Sequence, residues 1–220
     1  MSATSDDIFL ELAEALYRGD ANQVTALTQA ALGQGCKAPL VLNQALLAGM
    51  QRVGADFKAG KIFIPEVIVA ARAMHSGLEV LRPVMSANET SRQGKIILGT
   101  VKGDMHDIGK RLVGIMMAGA GFEVIDLGTN VAPEKFAAVA QKEMPDLIGL
   151  SALLSTTMPM MKSTLDAISK IPASKSIKVI VGGAPVSKAW ADEIGADGYA
   201  PDAVSAVETS KALLAQGSQA

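Results

Sequence analysis

Ile96-Ile97-Leu98-Gly99-Thr100-Val101-Lys102-Gly103-Asp104-Met105-His106-Asp107-Ile108-Gly109 decides how this 220-residue chain is read. Residues 96–101 are apolar or small and suit a buried strand. After the polar segment 103–109, Leu112-Val113-Gly114-Ile115-Met116-Met117 suits a helix packed on that strand. A polar loop between a buried strand and a helix can aim side chains and backbone N–H groups at a ligand. His106 offers an imidazole nitrogen to a metal or a proton. Asp104, two residues earlier, can hold the other ring nitrogen and fix its tautomer. Asp107 suits a helix cap, a role also open to Asp104. Gly109 lacks the Cβ that would keep something flat and bulky off the backbone.

Downstream the pattern alternates. Strands are expected over 96–101, 123–127, 147–150, 178–181 and 198–200, and helices over 108–120, 133–142, 158–171, 188–194 and 203–214. Five short strands alternating with helices imply a parallel, right-handedly wound sheet covered on both faces. Ligands bind such sheets beyond the carboxyl ends of the strands, at the switch in strand order. That edge carries the unusual residues: 103–109 after the first strand and Ser151-Ala152-Leu153-Leu154-Ser155-Thr156-Thr157 after the third. Gly182-Gly183 follows the fourth strand, and Tyr199-Ala200-Pro201-Asp202 stands at the fifth. Met144-Pro145-Asp146 and Ser174-Lys175-Ser176 precede strands and read as plain turns. The hydroxyls Ser151, Ser155, Thr156 and Thr157 either cap the next helix or bond a buried polar ligand. The two glycines either make a tight turn or let a ligand lie on the backbone.

Upstream, residues 1–88 read as four amphipathic helices joined by short turns, a small antiparallel bundle. The first carries Ile8, Leu12 and Leu16 on one face. The second, capped by Asp20, carries Val24, Leu27 and Leu32. Pro39 suits the first turn of the third, with Leu42, Leu46, Met50, Val53 and Phe57 at helical spacing. Pro65 opens the fourth, striped by Val67, Ala71, Met74, Leu78 and Leu81, and Pro83 ends or kinks it. Its His75 reads as a surface residue. The polar stretch 89–94 has no periodicity and reads as a linker to the α/β domain, 95–220.

Composition narrows the function. With 49% hydrophobic residues the chain can bury a core, and a net charge of −2 with 4% aromatics argues against a nucleic-acid partner. No uncharged apolar run reaches the ~18 residues that span a bilayer, and the N-terminus lacks a signal-peptide pattern, so a soluble cytoplasmic protein is expected. The single cysteine, Cys36, allows no internal disulfide and no thiolate cluster. One histidine without a second nearby does not make a closed zinc site. A lone protein ligand instead suggests a cofactor that brings the rest of its coordination, as haem-like macrocycles do. Most of the eleven methionines read as core filling, with a few left for an adaptable interface.

Asp104-x-His106-x-x-Gly109, then Ser151-x-Leu153, then Gly182-Gly183, resembles the signature of cobalamin proteins that replace the cofactor's own lower ligand with a histidine. Together with Phe57-Lys58-Ala59-Gly60-Lys61-Ile62-Phe63-Ile64-Pro65-Glu66-Val67, the chain is similar over nearly its whole length to corrinoid methyl-carrier proteins and to the cobalamin module of methionine synthase. The resemblance implies an N-terminal four-helix cap followed by a five-stranded parallel Rossmann or flavodoxin-like domain. It implies His106 as lower axial cobalt ligand, Asp104 accepting its other N–H, and Thr157 as a relay hydroxyl where methionine synthase has serine. Gly103, Met105, Asp107, Ile108 and Gly109 would border the corrin. Ser151, Leu153, Ser155 and Thr156 would line the slot for the displaced nucleotide tail, with Gly182-Gly183 as its floor and Tyr199, Ala200 and Asp202 closing the far side. The implied activity is that of the methyl-carrier subunit of a corrinoid-dependent methyltransferase system. Its implied partners are a donor methyltransferase, an acceptor methyltransferase and a reductive activator for Co(II). The alternative is the cobalamin subunit of an adenosylcobalamin mutase, against which residues 1–88 speak.

Overall fold

A computed structural model describes residues 5–85, 93–172 and 176–217. The expected linker 89–94 therefore lies outside the described residues up to position 92, as do Ser174 and Lys175 of the expected turn. The chain divides into two compact units, one helical and one built on a sheet that begins after Gln93.

The helical unit contains α1 (Ser5–Tyr17), α2 (Ala21–Gly33), α3 (Ala38–Val41), a π-helical turn (Leu42–Leu47), α4 (Ala48–Lys58) and α5 (Ile64–Leu81). Because α3, the π turn and α4 run on without a break, they form the third rod of a four-helix bundle. Asp20 caps α2, accepting from the Gln23 N–H at 3.0 Å. At the start of α5, Glu66 reaches back to the Phe63 N–H at 3.0 Å. Leu12, Leu16, Val24, Leu46, Val53, Val67, Met74 and Leu81 form the core.

Two expected stripes are shifted in part, although Val24, Val67, Met74 and Leu81 are buried as expected. In α2 the buried positions are Val24, Thr28 and Ala31, and in α5 they include Ala70, Ala73 and Gly77, while Leu27, Leu32, Ala71 and Leu78 are only half-buried. Small residues occupy the seam because the helices approach closely: a Cβ on Gly77 would lie 2.9 Å from Leu46 and 3.1 Å from Val24. Thr28 is admitted because its hydroxyl donates to the Val24 carbonyl at 2.7 Å. After α5, Pro83 lies in a short 3₁₀ turn, Arg82–Val84.

The second unit runs β1 (Lys95–Thr100), α6 (Ile108–Gly119), β2 (Glu123–Asp126), α7 (Pro133–Glu143), β3 (Leu147–Ser151), α8 (Pro159–Ile168), β4 (Lys178–Gly182), α9 (Lys188–Ile194), β5 (Gly198–Ala200) and α10 (Ala203–Gly217). The strands are all parallel in the order β2-β1-β3-β4-β5. Ile97, Ile148 and Val179 stand in one row and join the α7, α8 and α9 core around Phe136 and Met161. Leu98, Gly149 and Ile180 form the next row on the opposite face, where Leu98 approaches Gly114 of α6. Gly99 is set by packing, since a Cβ there would meet the Phe136 ring at 2.4 Å.

One helix is shorter than expected. α8 ends at Ile168 rather than at Ile171, which precedes Pro172, and a residue before proline is pushed out of the helical region. Met144 is an exposed left-handed cap of α7, and the Asp146 carboxylate beside it accepts the Lys95 N–H at 2.7 Å, tying β1 to the start of β3.

Candidate functional site

The order 2-1-3-4-5 places its switch between β1 and β3, so the loops leaving these two strands diverge and open a crevice. Thr100, Ser151, Gly182 and Ala200 stand in register across the carboxyl ends of four strands. The loops that follow them therefore share one edge. Behind β1 the chain turns at once: Asp104 N–H returns to the Val101 carbonyl at 3.1 Å, and Gly103 takes φ +84°.

Asp104 is the centre of the site. It is fully buried, yet it accepts five donors. Oδ1 faces the His106 N–H at 3.0 Å and His106 Nδ1 at 2.7 Å. Oδ2 faces the Leu153 N–H at 2.7 Å, the Leu154 N–H at 3.2 Å and the Thr157 hydroxyl at 2.8 Å. Burial alone would push this carboxyl up; the donors from His106, Leu153 and Thr157 outweigh it and hold the group well below the usual carboxylate range. An ionised carboxylate only accepts, so the proton of this contact sits on His106 Nδ1, and in the neutral ring the lone pair is that of Nε2. The single Thr157 proton has two acceptors at 2.8 Å, Asp104 Oδ2 and the Leu154 carbonyl, and the charged one is favoured.

The imidazole itself is half-exposed, at 51%. Its residue's carbonyl receives the hydroxyl of buried Thr100 at 2.8 Å, which anchors the loop to the end of β1. Met105, Leu153 and Leu154 on these two loops, and Ile108 at the start of α6, present large apolar side chains to solvent. Gly109 is exposed, with open space where a Cβ would stand. Asp107 accepts the Arg111 N–H through its carbonyl at 2.7 Å, and its carboxylate lies 3.3 Å from Arg111 Nε.

The other expected residues have local partners. Ser151 ends β3 half-buried, while Ser155 and Thr156 are exposed. Gly182 and Gly183 are required by the chain's own packing: a Cβ would lie 2.7 Å from the Ala200 carbonyl oxygen at the first and 1.9 Å from that of Ala152 at the second. Asp202 caps α10, accepting the Ser205 N–H at 2.8 Å and hydroxyl at 2.9 Å, and Tyr199 packs on the core. Thus the structure brings Asp104, His106, Leu153 and Thr157 together by direct bonds, and sets Asp202 to a capping task.

Three residues here escaped the sequence reading. Thr100 reads only as a strand residue, and Asn130 falls, without an assigned role, between the expected strand 123–127 and the expected helix 133–142. Lys110 is buried in the first turn of α6 and paired with Asp126. The available signals were a lysine where the helix macrodipole disfavours one and an asparagine in a Gly-Thr-Asn turn.

Among the described residues no group of three His, Cys, Asp or Glu side chains could hold a metal ion. The donor set is one imidazole, oriented from behind and opening onto an apolar surface with a bare glycine. That fits a flat cofactor carrying a metal with its in-plane ligands already supplied. Fold and site together define an open-sheet domain with a buried carboxylate behind a half-exposed imidazole at the strand switch, a donor set that suits a metal-bearing macrocycle.

Comparison with known proteins gives the class its name. Two B12 binding domain families match, one over residues 94–208 and the other over residues 8–82. The chain is 43% identical to a corrinoid protein of Desulfitobacterium hafniense, over 93% of this chain and 96% of that one. It is 40% identical to dimethylamine corrinoid protein 1 of Methanosarcina acetivorans, over 96% and 100% of the two chains. A chain in the crystal structure of the methanol:cobalamin methyltransferase complex from Methanosarcina barkeri superposes with a TM-score of 0.83 at 30% identity, covering 96% of this chain and 80% of that one. The chain belongs to the corrinoid proteins of methyltransferase systems, and cobalamin is its cofactor. No helix among the described residues is long and apolar enough to cross a membrane.

Proposed function

We propose that this protein binds cobalamin with the cofactor's own base displaced and His106 Nε2 as the lower cobalt ligand, and that it shuttles a methyl group between two methyltransferases. When bound, the corrinoid would supply a cobalt able to accept a methyl group and pass it on. The chain supplies the rest. Asp104 holds the Nδ1 proton, Thr157 steadies Asp104, and Thr100 fixes the loop beneath the ring. Met105, Ile108 and Gly109 would border the corrin. Ser151, Leu153, Ser155 and Thr156 would hold the displaced nucleotide tail together with the Gly182-Gly183 turn, Tyr199, Ala200 and Asp202.

One observation carries this reading: a buried, ionised carboxylate 2.7 Å from one nitrogen of a half-exposed imidazole, which leaves the other nitrogen as a preoriented ligand. The relatives support a methyltransferase as partner, and the remaining partners belong to this proposal. A donor methyltransferase delivers the methyl group, an acceptor methyltransferase removes it, and a reductive activator restores cobalt after oxidation to Co(II). These relatives lend no support to the mutase alternative. Within the proposal, residues 1–88 form a domain joined by 89–94 to the corrinoid-binding domain 95–220.

The test is the visible spectrum of the protein reconstituted with hydroxocobalamin, as wild type and as His106→Ala. Wild type should bind the corrinoid, and the lower-ligand bands should change in the variant. Unchanged bands would mean that the cofactor keeps its own base and would overturn the assignment of His106. Transfer to free protein from a methylated substrate and its methyltransferase then tests the shuttle.

A further inference from the structure

Two polar contacts outside the binding motif fasten the loop between β2 and α7 onto the segment that carries His106. At the exit of that segment, the Lys110 side chain is 2% exposed and its ammonium meets both carboxylate oxygens of Asp126 at the end of β2. At the entry, Asn130 makes a double contact: its Oδ1 accepts the Gly103 N–H at 2.8 Å, and its own N–H donates to the Asp104 carbonyl at 2.9 Å. The intervening loop is pinned as well. Gly128 N–H donates to Asp126 Oδ1 at 2.9 Å, and Val101 bridges to Val131.

Glycine at position 130 and an uncharged residue at position 110 would serve local backbone stability at least as well. A cation in the first turn of a helix opposes the macrodipole, and a buried ammonium is costly unless it is paired. Asn130 holds φ +53°, a left-handed conformation that favours glycine. What the two side chains provide is geometric. One fixes the backbone just before Asp104, the other fixes the first turn of α6 just after His106.

We propose that Lys110 and Asn130 are positioning residues for His106. By clamping segment 103–110 at both ends through the β2–α7 loop, they set how far Nε2 stands above the sheet edge, and so how completely it engages cobalt. The inference rests on the reading of His106 as lower ligand.

The test uses the full chain labelled with 15N-histidine, loaded with hydroxocobalamin and reduced to Co(II). Its electron paramagnetic resonance splitting distinguishes an axial histidine nitrogen from the cofactor's own 14N base. Asn130→Gly keeps the left-handed backbone and removes the acceptor. It should lower the ratio of histidine-ligated to unligated cobalt about tenfold, the scale typical of groups that orient a metal ligand. Asn130→Asp, which retains an acceptor for Gly103, should restore most of it. Lys110→Met should match the loss and Lys110→Arg should recover part; if the methionine variant does not fold, the Asn130 pair carries the test. Full histidine splitting in Asn130→Gly would overturn the proposal. So would a lower melting temperature without any change in ligation, because that is the mark of a merely structural role. Absence of histidine splitting in the wild type would instead remove the ligand assignment, and this inference with it.

Discussion

The Thr157 hydroxyl stands 2.8 Å from Asp104 Oδ2, on the side of the carboxylate opposite the oxygen that faces His106. The loop after β3 thus reaches the same carboxylate as the loop after β1, and the crevice at the strand switch is closed at its base by one shared anion. Thr157→Val keeps the shape and removes this donor. It should destabilise the protein by about 1.5–3 kcal/mol, as for a bond to a charged group, whereas Thr157→Ser should stay near wild type. Chemical denaturation measures both.

Asp104→Asn tests the carboxylate itself. The neutral amide has one oxygen where the anion has two, so it cannot accept all the donors gathered there, and the His106 ring loses its fixed tautomer. Corrinoid affinity should fall about 10–100-fold, read by titration of the visible spectrum. Affinity within about twofold of wild type would argue that orientation from behind is unimportant.

Two glycines separate packing from binding. At Gly183 a methyl group would sit 1.9 Å from the Ala152 carbonyl oxygen, and φ is +130°. Gly183→Ala should cost more than about 3 kcal/mol of stability. At Gly109 an added methyl group would meet no atom within 4 Å, and the residue lies in the first turn of a helix. Gly109→Ala should therefore leave stability equal or higher by up to about 1 kcal/mol, while weakening corrinoid binding. A parallel loss of stability in both would contradict this division.

The helical unit has its own acid-sensitive group. Asp56 accepts from Lys61 Nζ at 2.9 Å and from the Tyr17 hydroxyl at 3.0 Å, and these donors hold its carboxyl below the usual range. A depressed carboxyl stabilises the fold above its unfolded value, near about pH 4, and that contribution is lost as pH falls through the lower folded value. Asp56→Asn should lower the melting temperature at neutral pH and differ less from wild type near about pH 3. A difference that grows on acidification would refute the sign.

Much of this was legible in the chain. Strand positions were readable because parallel strands buried on both faces are short unbroken apolar runs, such as Ile96-Ile97-Leu98 and Val179-Ile180-Val181. The loaded edge followed from topology alone. Asp104 and His106 were readable because two residues apart on one loop is a local relation. Partners distant in sequence were harder: nothing near Lys110 or Asn130 announces Asp126 or Gly103. The bundle seam was misjudged where close helix approach favours Ala70, Ala73 and Gly77 over the larger residues beside them. Gly182 and Gly183 read either as a tight turn or as room for a ligand, and their first demand is room for the backbone at Ala200 and Ala152.

The π-helical turn Leu42–Leu47 has a consequence for length. One extra residue in a helical rod swings everything after it by about 100°. Asn43 and Gln44 are exposed, so losing either one looks harmless. Yet such a deletion would straighten the turn and spin Gly49, Met50 and Val53 away from the interior, where Gly49 lies against Ala13 and Leu16. Between Pro39 and Gly60 the packing therefore depends on the number of residues as well as on their identity.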